Sequence, residues 1–261
     1  MKKFVFVFCC IGFLFAISNV SAQETKKLRI MTYNLRYGEL ASMERLAAFI
    51  SEQKPDIVAI QEVDCMTRRP SVKHQHDVHF ITELGYYTKM FPLYGKTIPH
   101  AGGWYGIGIL TKYPYVNVEK TMLPRTGNAE PRALLAATVE IGEDTIVFAC
   151  SHLDYTTSEA RQKQVKEIKS VLENQPYPVI VGGDFNAEPD SPEIAEMFKQ
   201  WAPFSNKDFT FSSSKPSCKI DYLFGFPAEN WKLLSTEVIP SLQSDHMPIV
   251  SEVELVIPQK R

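Results

Sequence analysis
Cysteine is scarce in this 261-residue chain: Cys9 and Cys10 fall in an apolar opening stretch, and only Cys65, Cys150 and Cys218 follow. None has the spacing of a zinc or redox motif, and an odd set excludes a fully paired disulfide framework. Cys150 lies in an apolar run and reads as core; Cys65 and Cys218 either pair or stay free. Also lacking are internal repeats, low-complexity tracts and blocks of like charge, which excludes repeat arrays and leaves no linker to divide the chain. The 17 prolines, 13 glycines, 22% charged and 44% apolar residues match an ordinary globular protein.

An excess of positive charge is missing too. Lys and Arg number 28 against 30 Asp and Glu, and setting aside Lys2 and Lys3 leaves 26 against 30, a formal charge of −4. Broad electrostatic affinity for nucleic acid, which recruits many basic side chains, is not indicated. Long apolar runs are absent after residue 22, and roughly 20 apolar residues are needed to cross a bilayer. The opening residues differ: Lys2 and Lys3 form a basic start, residues 4–17 an uncharged apolar run, and Val20-Ser21-Ala22 a small-residue cleavage pattern. Together these read as a signal peptide over 1–22, with an exported, soluble mature domain over 23–261 that is periplasmic or extracellular. Cys9 and Cys10 sit inside the apolar run, not at its end, which argues against a lipoprotein.

Strands are expected at 28–35 and 56–63, flanking a helix whose Leu46, Phe49 and Ile50 follow helical spacing, a β-α-β start. Further strands are expected at 86–91, 105–111, 115–122, 133–140 and 145–151, an antiparallel middle section with a hairpin turn at 142–144. A helix begins near Thr156, where Thr156 and Glu159 have capping-box spacing and Val165, Ile168, Val171 and Leu172 supply an apolar face. Arg161 shares that face and needs a partner, Asp154 first. Strand 177–183, a short helix announced by Ser191-Pro192, and strands 219–225, 231–238 and 247–256 complete a pattern of layered sheets.

Polar residues collect at the carboxyl ends of the apolar strands, where α/β proteins place their sites. Asn34 ends the first strand, Glu62 the second, and Asp184 and Asn186 follow 179–181 within Gly182-Gly183-Asp184-Phe185-Asn186. The two glycines suggest a backbone that approaches a ligand closely. His152 ends the strand 146–150, and Asp245 and His246 stand side by side near the end of the chain. Singly, each is an ordinary turn former, cap or structural histidine; the set has a different weight. It is rich in oxygen donors, with two imidazoles and no thiolate motif, which suits Mg²⁺ or Mn²⁺ better than zinc. An ion held by few carboxylates keeps positions open for a phosphate, an acid can take a proton from water, and the imidazoles can donate to phosphoryl oxygens. The chemistry indicated is metal-assisted phosphoester hydrolysis.

The ordered series Thr32-Tyr33-Asn34-Leu35, Gln61-Glu62-Val63, 105–110, Ser151-His152-Leu153-Asp154, Gly183-Asp184-Phe185-Asn186, Ile220-Asp221-Tyr222 and Ser244-Asp245-His246 resembles the endonuclease/exonuclease/phosphatase superfamily over about residues 28–257. The resemblance implies an α/β four-layer sandwich of the deoxyribonuclease-I type, two mixed β-sheets face to face with helices on the outer faces. It implies Glu62 as principal metal ligand with Asn34 beside it, and Asp245 as a further metal-site acid. Asp184 and Asn186 match the pair that orients or deprotonates water, His152 a phosphate-contacting histidine, His246 the catalytic histidine and Asp221 the acid that orients it. Either His246 or Asp184 is then the general base.

The resemblance does not transfer a substrate. The loop after Glu62 holds Arg68, Arg69, Lys73, His74 and His76, a basic cluster suited to a second phosphate or simply solvated; Trp104 offers an aromatic rim and Arg132 begins a strand. The leading expectation is an exported, Mg²⁺-dependent monomeric hydrolase of a small or lipid-like phosphoester. A secreted nuclease is the alternative, and an inactive binding protein of the same fold a more distant one.

Overall fold
The computed structural model describes residues 26–256, so the expected signal peptide over 1–22 lies outside the described residues. No helix among the described residues is long and apolar enough to cross a membrane. The chain forms a four-layer α/β sandwich. Its elements are β1 (Lys26–Asn34), α1 (Met43–Glu52), β2 (Ile57–Cys65), α2 (Phe80–Thr88), β3 (Phe91–His100), β4 (Gly103–Thr111), β5 (Tyr115–Met122), β6 (Ala133–Ile141) and β7 (Asp144–His152). After these come α3 (Ser158–Leu172), β8 (Val179–Asp184), α4 (Pro192–Met197), β9 (Ala202–Pro203), β10 (Asp221–Phe226), β11 (Trp231–Val238) and β12 (Ile249–Leu255).

The strands divide into two six-stranded sheets, ordered β11-β12-β1-β2-β4-β3 and β5-β6-β7-β8-β10-β9. Each is mixed, with one parallel pair at its centre, β1 with β2 and β7 with β8. Those pairs are the β-α-β units read from the sequence, since a parallel connection needs a crossover helix. Apolar residues of the facing sheets, such as Ile30, Ile57, Ile109, Leu135, Phe148, Ile180 and Leu223, make the central core. A second cluster sits between the first sheet and α1 and α2, and a third between the second sheet and α3 and α4. Strands buried on both faces carry continuous apolar runs instead of alternation, which is why 57–60 and 146–150 are so uniformly apolar.

Two elements differ from the sequence reading. Residues 86–91 are not a strand: α2 ends at Thr88 with Lys89 left-handed at its C-cap (φ 59°), and β3 starts only at Phe91. Phe80, Ile81 and Leu84 lie at helical spacing and are buried against the first sheet, and burial overrides local propensity. β3 itself contains Pro92 and Pro99 and lies at a sheet edge, where a missing N–H is tolerated. The glycines before Asp184 serve packing. A Cβ on Gly183 would fall 2.1 Å from the Ser151 carbonyl, and one on Gly182 would meet Leu223 at 2.7 Å. All three described cysteines are free, so Cys65 and Cys218 do not pair; Cys65 Sγ instead lies 3.1 Å from His79 Nδ1.

The N-cap of α3 is Thr157, one residue later than expected, and its side chain accepts from the Ala160 amide at 3.2 Å. Arg161 is 13% exposed at its side chain, and its carboxylate partner is Glu193 of α4 at 2.5 Å, not Asp154. Asp154 contributes its carbonyl to Arg161 Nη1 at 3.2 Å, while its carboxylate binds Thr156 and Thr157 and shapes the turn after His152. Glu193 is fully buried, so removing its guanidinium strands a charge, whereas removing both ions does not. Arg161→Met is expected to cost about 3 kcal/mol in urea denaturation, and Arg161→Met with Glu193→Met to recover most of it. Equal stability of Arg161→Met and the wild type would show that the pair does not brace α3 and α4.

Candidate active site
Strand register assembles the site before any side chain is considered. In the second sheet His152 pairs with Asp184 across parallel β7 and β8, and Asp221 pairs with Asp184 across antiparallel β8 and β10. Three titratable residues therefore stand abreast on neighbouring strands, with Asp184 in the middle. In the first sheet Asn34 closes β1 opposite Gln61 of β2. The β2–β4 ladder shifts register between Ile60 and Val63, and Glu62 takes φ 58° within that bulge. A bulge re-aims side chains, and here Glu62 reaches the edge where the two sheets meet. Its neighbours in the strand are buried; Glu62 alone is half-buried.

Hydrogen bonds join the two sheets at that edge. Asn34 Nδ2 donates to Glu62 Oε1 and to Asp184 Oδ2, both at 3.1 Å. The Asn186 amide donates to Asp184 Oδ1 at 2.8 Å, and Asn186 Nδ2 donates to the Leu153 carbonyl at 3.0 Å. His246 Nδ1 lies 2.9 Å from Asp221 Oδ2, as expected for a histidine held in one orientation. Its Nε2 faces Asp184 Oδ2 at 3.6 Å, and His152 Nε2 faces the same oxygen at 3.5 Å. Phe211 covers the His246 ring at a centroid distance of 4.9 Å.

Burial and charge set the protonation states. Asp184 is 2% exposed, and its carboxyl is pushed up to about 7, first by burial and then by the Asp221 charge. Burial of His246 disfavours its charge, but Asp221 and Asp184 outweigh it and raise the imidazole to about 10. His152 moves the other way, well below its ordinary value, through burial, Arg132 and His246. Glu62 is raised because burial outweighs the hydrogen bond from Asn34.

A cleft of about 300 Å³ opens at this edge, and Glu62, Tyr105, Arg132, His152, Tyr155, Asp184, Asn186, Asp245 and His246 line it. The structure thus brings together most residues expected of the site. Trp104 and the basic loop are not in the cleft lining. Trp104 packs on Lys96, whose Nζ lies 3.8 Å from the ring centroid. Arg68 pairs with Asp77 and Arg69 with Asp64, His74 Nε2 meets Gln75, and His76 Nε2 meets the Arg69 carbonyl. The loop's arginine charges are largely neutralised within it.

Some participants were not expected. Arg36 Nη1 binds Asp245 Oδ2 at 2.5 Å, so that acid is already ion-paired. Tyr105 and Tyr155 form part of the wall; Tyr155 and Trp104 are both exposed, but only Tyr155 lines the cleft. Lys219 is buried behind Asp221 and donates to its carbonyl at 2.8 Å. Arg36 follows Asn34 by two residues, Lys219 precedes Asp221 by two and Tyr155 follows His152 by three, so each carried a proximity signal in the sequence.

The residues fit a divalent cation. Asp184, Asp221 and His246 bring ligand atoms within 4.8 Å of one another, but those groups already satisfy each other's charge. Glu62 is the carboxylate short of positive charge, and a hard ion beside it would supply what burial removes.

A four-layer sandwich with this oxygen-rich, imidazole-flanked edge defines a divalent-metal-dependent phosphoester hydrolase. The chain belongs to the endonuclease/exonuclease/phosphatase family, whose model matches residues 31–246. Among solved structures it is similar to an endonuclease/exonuclease/phosphatase from Bacteroides vulgatus, at 20% identity and TM-score 0.71, covering 88% of this chain and 99% of that one. It is similar to a mannosyl-6-phosphatase from Bacteroides thetaiotaomicron, at 17% identity and TM-score 0.68, covering 88% and 100%. The human Nocturnin catalytic domain with bound sulfate aligns at 18% identity and TM-score 0.66, covering 89% and 97%. No curated protein matches the sequence.

The raised His246 value makes a pH prediction. In metal-free protein the imidazolium should persist above the usual histidine pKa of about 6.5, and its stabilising contribution, complete below that value, should fade as pH rises through about 10. Asp221→Asn should lower the NMR-measured titration by more than one unit; an unchanged midpoint would show that Asp221 does not hold the charge.

Proposed function
We propose that this protein is an exported hydrolase of a small or lipid-like phosphoester, using Mg²⁺, with Mn²⁺ as a substitute. The observation that carries the reading is the convergence of Glu62 from the β2 bulge, His152 and Asp184 from the ends of β7 and β8, and His246 from the segment before β12 on one small cleft, with Asn34 tying Glu62 to Asp184. Glu62 would hold the ion, with Asp245 nearby, and the ion when bound polarises a phosphoryl oxygen. Asn34 orients Glu62 and Asp184 through its two donors. Because it ties both carboxylates through Nδ2, we assign Asn34 to positioning more than to coordination.

Asp184 is the general base in this reading. Its carboxyl is raised towards neutrality, where a base works best, while His246 is kept protonated by Asp221 and is suited to donate to the developing phosphoryl charge. Asn186 fixes the Asp184 carboxylate through its amide. His152, neutral, offers a second imidazole to the phosphoryl group. Water attacks phosphorus, and its proton passes through Asp184.

A small cleft, a net acidic chain and a basic loop neutralised by Asp64 and Asp77 favour a compact substrate over a polynucleotide. Tyr155 at the rim suits the alcohol part of the ester. The basic start, apolar run and small-residue pattern over 1–22 support export to the periplasm or beyond the cell. Glu62→Ala and Asp184→Ala should each reduce Mg²⁺-dependent turnover by about 100-fold or more with folding retained. Activity against a panel of phosphomonoesters, phospholipids, inositol phosphates and DNA, with and without EDTA, measures this. Near-normal rates in both folded variants would overturn the assignment.

A further inference from the structure
Arg132 stands immediately before β6 and is only 4% exposed, yet it lines the cleft. A guanidinium buried to that degree needs acceptors. Both partners lie at one nitrogen: His152 Nδ1 and Glu130 Oε1 are each 3.1 Å from Nη1. Glu130 also lines the cleft; its contact with Arg132 is an ion pair only, since the buried Oε1 has no hydrogen-bond partner, and its side chain is 31% exposed. Nε is buried with no partner, and the Tyr105 hydroxyl contacts the guanidinium. The Nε–Nη2 edge is the fork that grips an oxyanion with two parallel donors.

The contact with His152 has a second consequence. Arg132 only donates, so His152 Nδ1 accepts, and the imidazole proton is placed on Nε2, the nitrogen that faces Asp184 at 3.5 Å. Arg132 therefore orients one phosphate-facing donor while its buried Nε keeps no partner of its own.

We propose that the preferred substrate is a phosphomonoester and that Arg132 sets this preference, its Nε edge receiving the non-bridging oxygen that a diester replaces with an ester oxygen. The inference rests on the reading of this cleft as a phosphoester-hydrolysing site. Three groups with positive character surround the space: the ion position at Glu62, the imidazoles, and Arg132. A monoester presents three non-bridging oxygens and up to two negative charges, so each group finds an acceptor. A diester has two such oxygens and one charge, and its second alkoxy group would lie against a buried cation in a cleft of about 300 Å³. In the reaction the water oxygen bonds to phosphorus as the bond to the alcohol oxygen breaks. One water proton ends on the alcohol and the other on the phosphate, so no further reactant is required.

The test compares 4-nitrophenyl phosphate with methyl 4-nitrophenyl phosphate, using wild type, Arg132→Lys and Arg132→Gln with Mg²⁺, alongside calorimetric binding of inorganic phosphate and dimethyl phosphate. Wild type should favour the monoester in kcat/KM. Arg132→Gln should lower monoester kcat/KM about 10- to 100-fold, and phosphate affinity by a similar factor, the worth of a charged hydrogen bond. Diester hydrolysis and dimethyl phosphate binding should change less than about threefold, and Arg132→Lys should fall between, since it keeps charge but not the fork. A wild type that favours the diester, or variants that lose both substrates equally, would overturn the proposal; the wild-type comparison stands even if a variant fails to fold. Should wild type hydrolyse neither ester, the hydrolase reading fails, and the calorimetry alone decides on Arg132. Phosphate bound in preference to dimethyl phosphate and weakened in Arg132→Gln would support its role, and equal binding would refute it.

Discussion
Asp184 takes a carboxylate to a position where it is 2% exposed, and the site is organised around balancing that charge. Desolvation of an isolated carboxylate costs several kcal/mol. The offset comes from both sheets: Asn34 from the first, the Asn186 amide from the turn after β8, and the imidazoles of His152 and His246 on either side. Each of these is fixed in turn, Asn34 by the Arg36 amide, His152 by Arg132 and His246 by Asp221. Because the partners come from different strands, the sandwich must close with correct register for the charge to be tolerated. The same polarity that makes the carboxylate costly to bury raises its basicity, so stability and reactivity share one cause.

Two strand registers set the geometry. The row His152, Asp184, Asp221 follows from the pairing of β7, β8 and β10, and slipping any of them by one residue would turn its side chain to the opposite face. Gly183 keeps that row close, since a Cβ there would collide with the Ser151 carbonyl. Across the cleft, the positive φ of Glu62 is a local strain placed where the β2 bulge redirects a side chain, and Asn186 at φ 49° plays a comparable part beyond β8. Strain of this kind is tolerated because the surrounding sheets fix the backbone.

Much of this was legible in the sequence because the site residues end apolar runs whose length and composition mark strands. Asn34, Glu62, His152 and Asp184 were picked out in that way; the sheets bring the ends of β1, β7 and β8 together, while Glu62 joins them from a bulge inside β2. Asp221 and its pairing with His246 came from the family resemblance, since 25 residues separate the two along the chain. The register that joins them is a tertiary fact. Residues 86–91 were read as a strand, whereas α2 runs on to Thr88 because Phe80, Ile81 and Leu84 are buried at helical spacing. The basic loop over 68–76 looked like a phosphate site, but charge composition does not reveal that Asp64 and Asp77 neutralise its arginines. The same limit hid the pairing of Asp245 with Arg36 and of Arg161 with Glu193.

The central claim is that the cation belongs at Glu62, and not within the Asp184, Asp221 and His246 group whose atoms also converge. Anomalous diffraction from a crystal of the protein soaked in Mn²⁺ tests it most directly. A peak is expected at about 2.0–2.4 Å from a Glu62 carboxylate oxygen, with Asp221 still hydrogen-bonded to His246. A peak ligated by Asp221 and His246, with Glu62 uncoordinated, would contradict it.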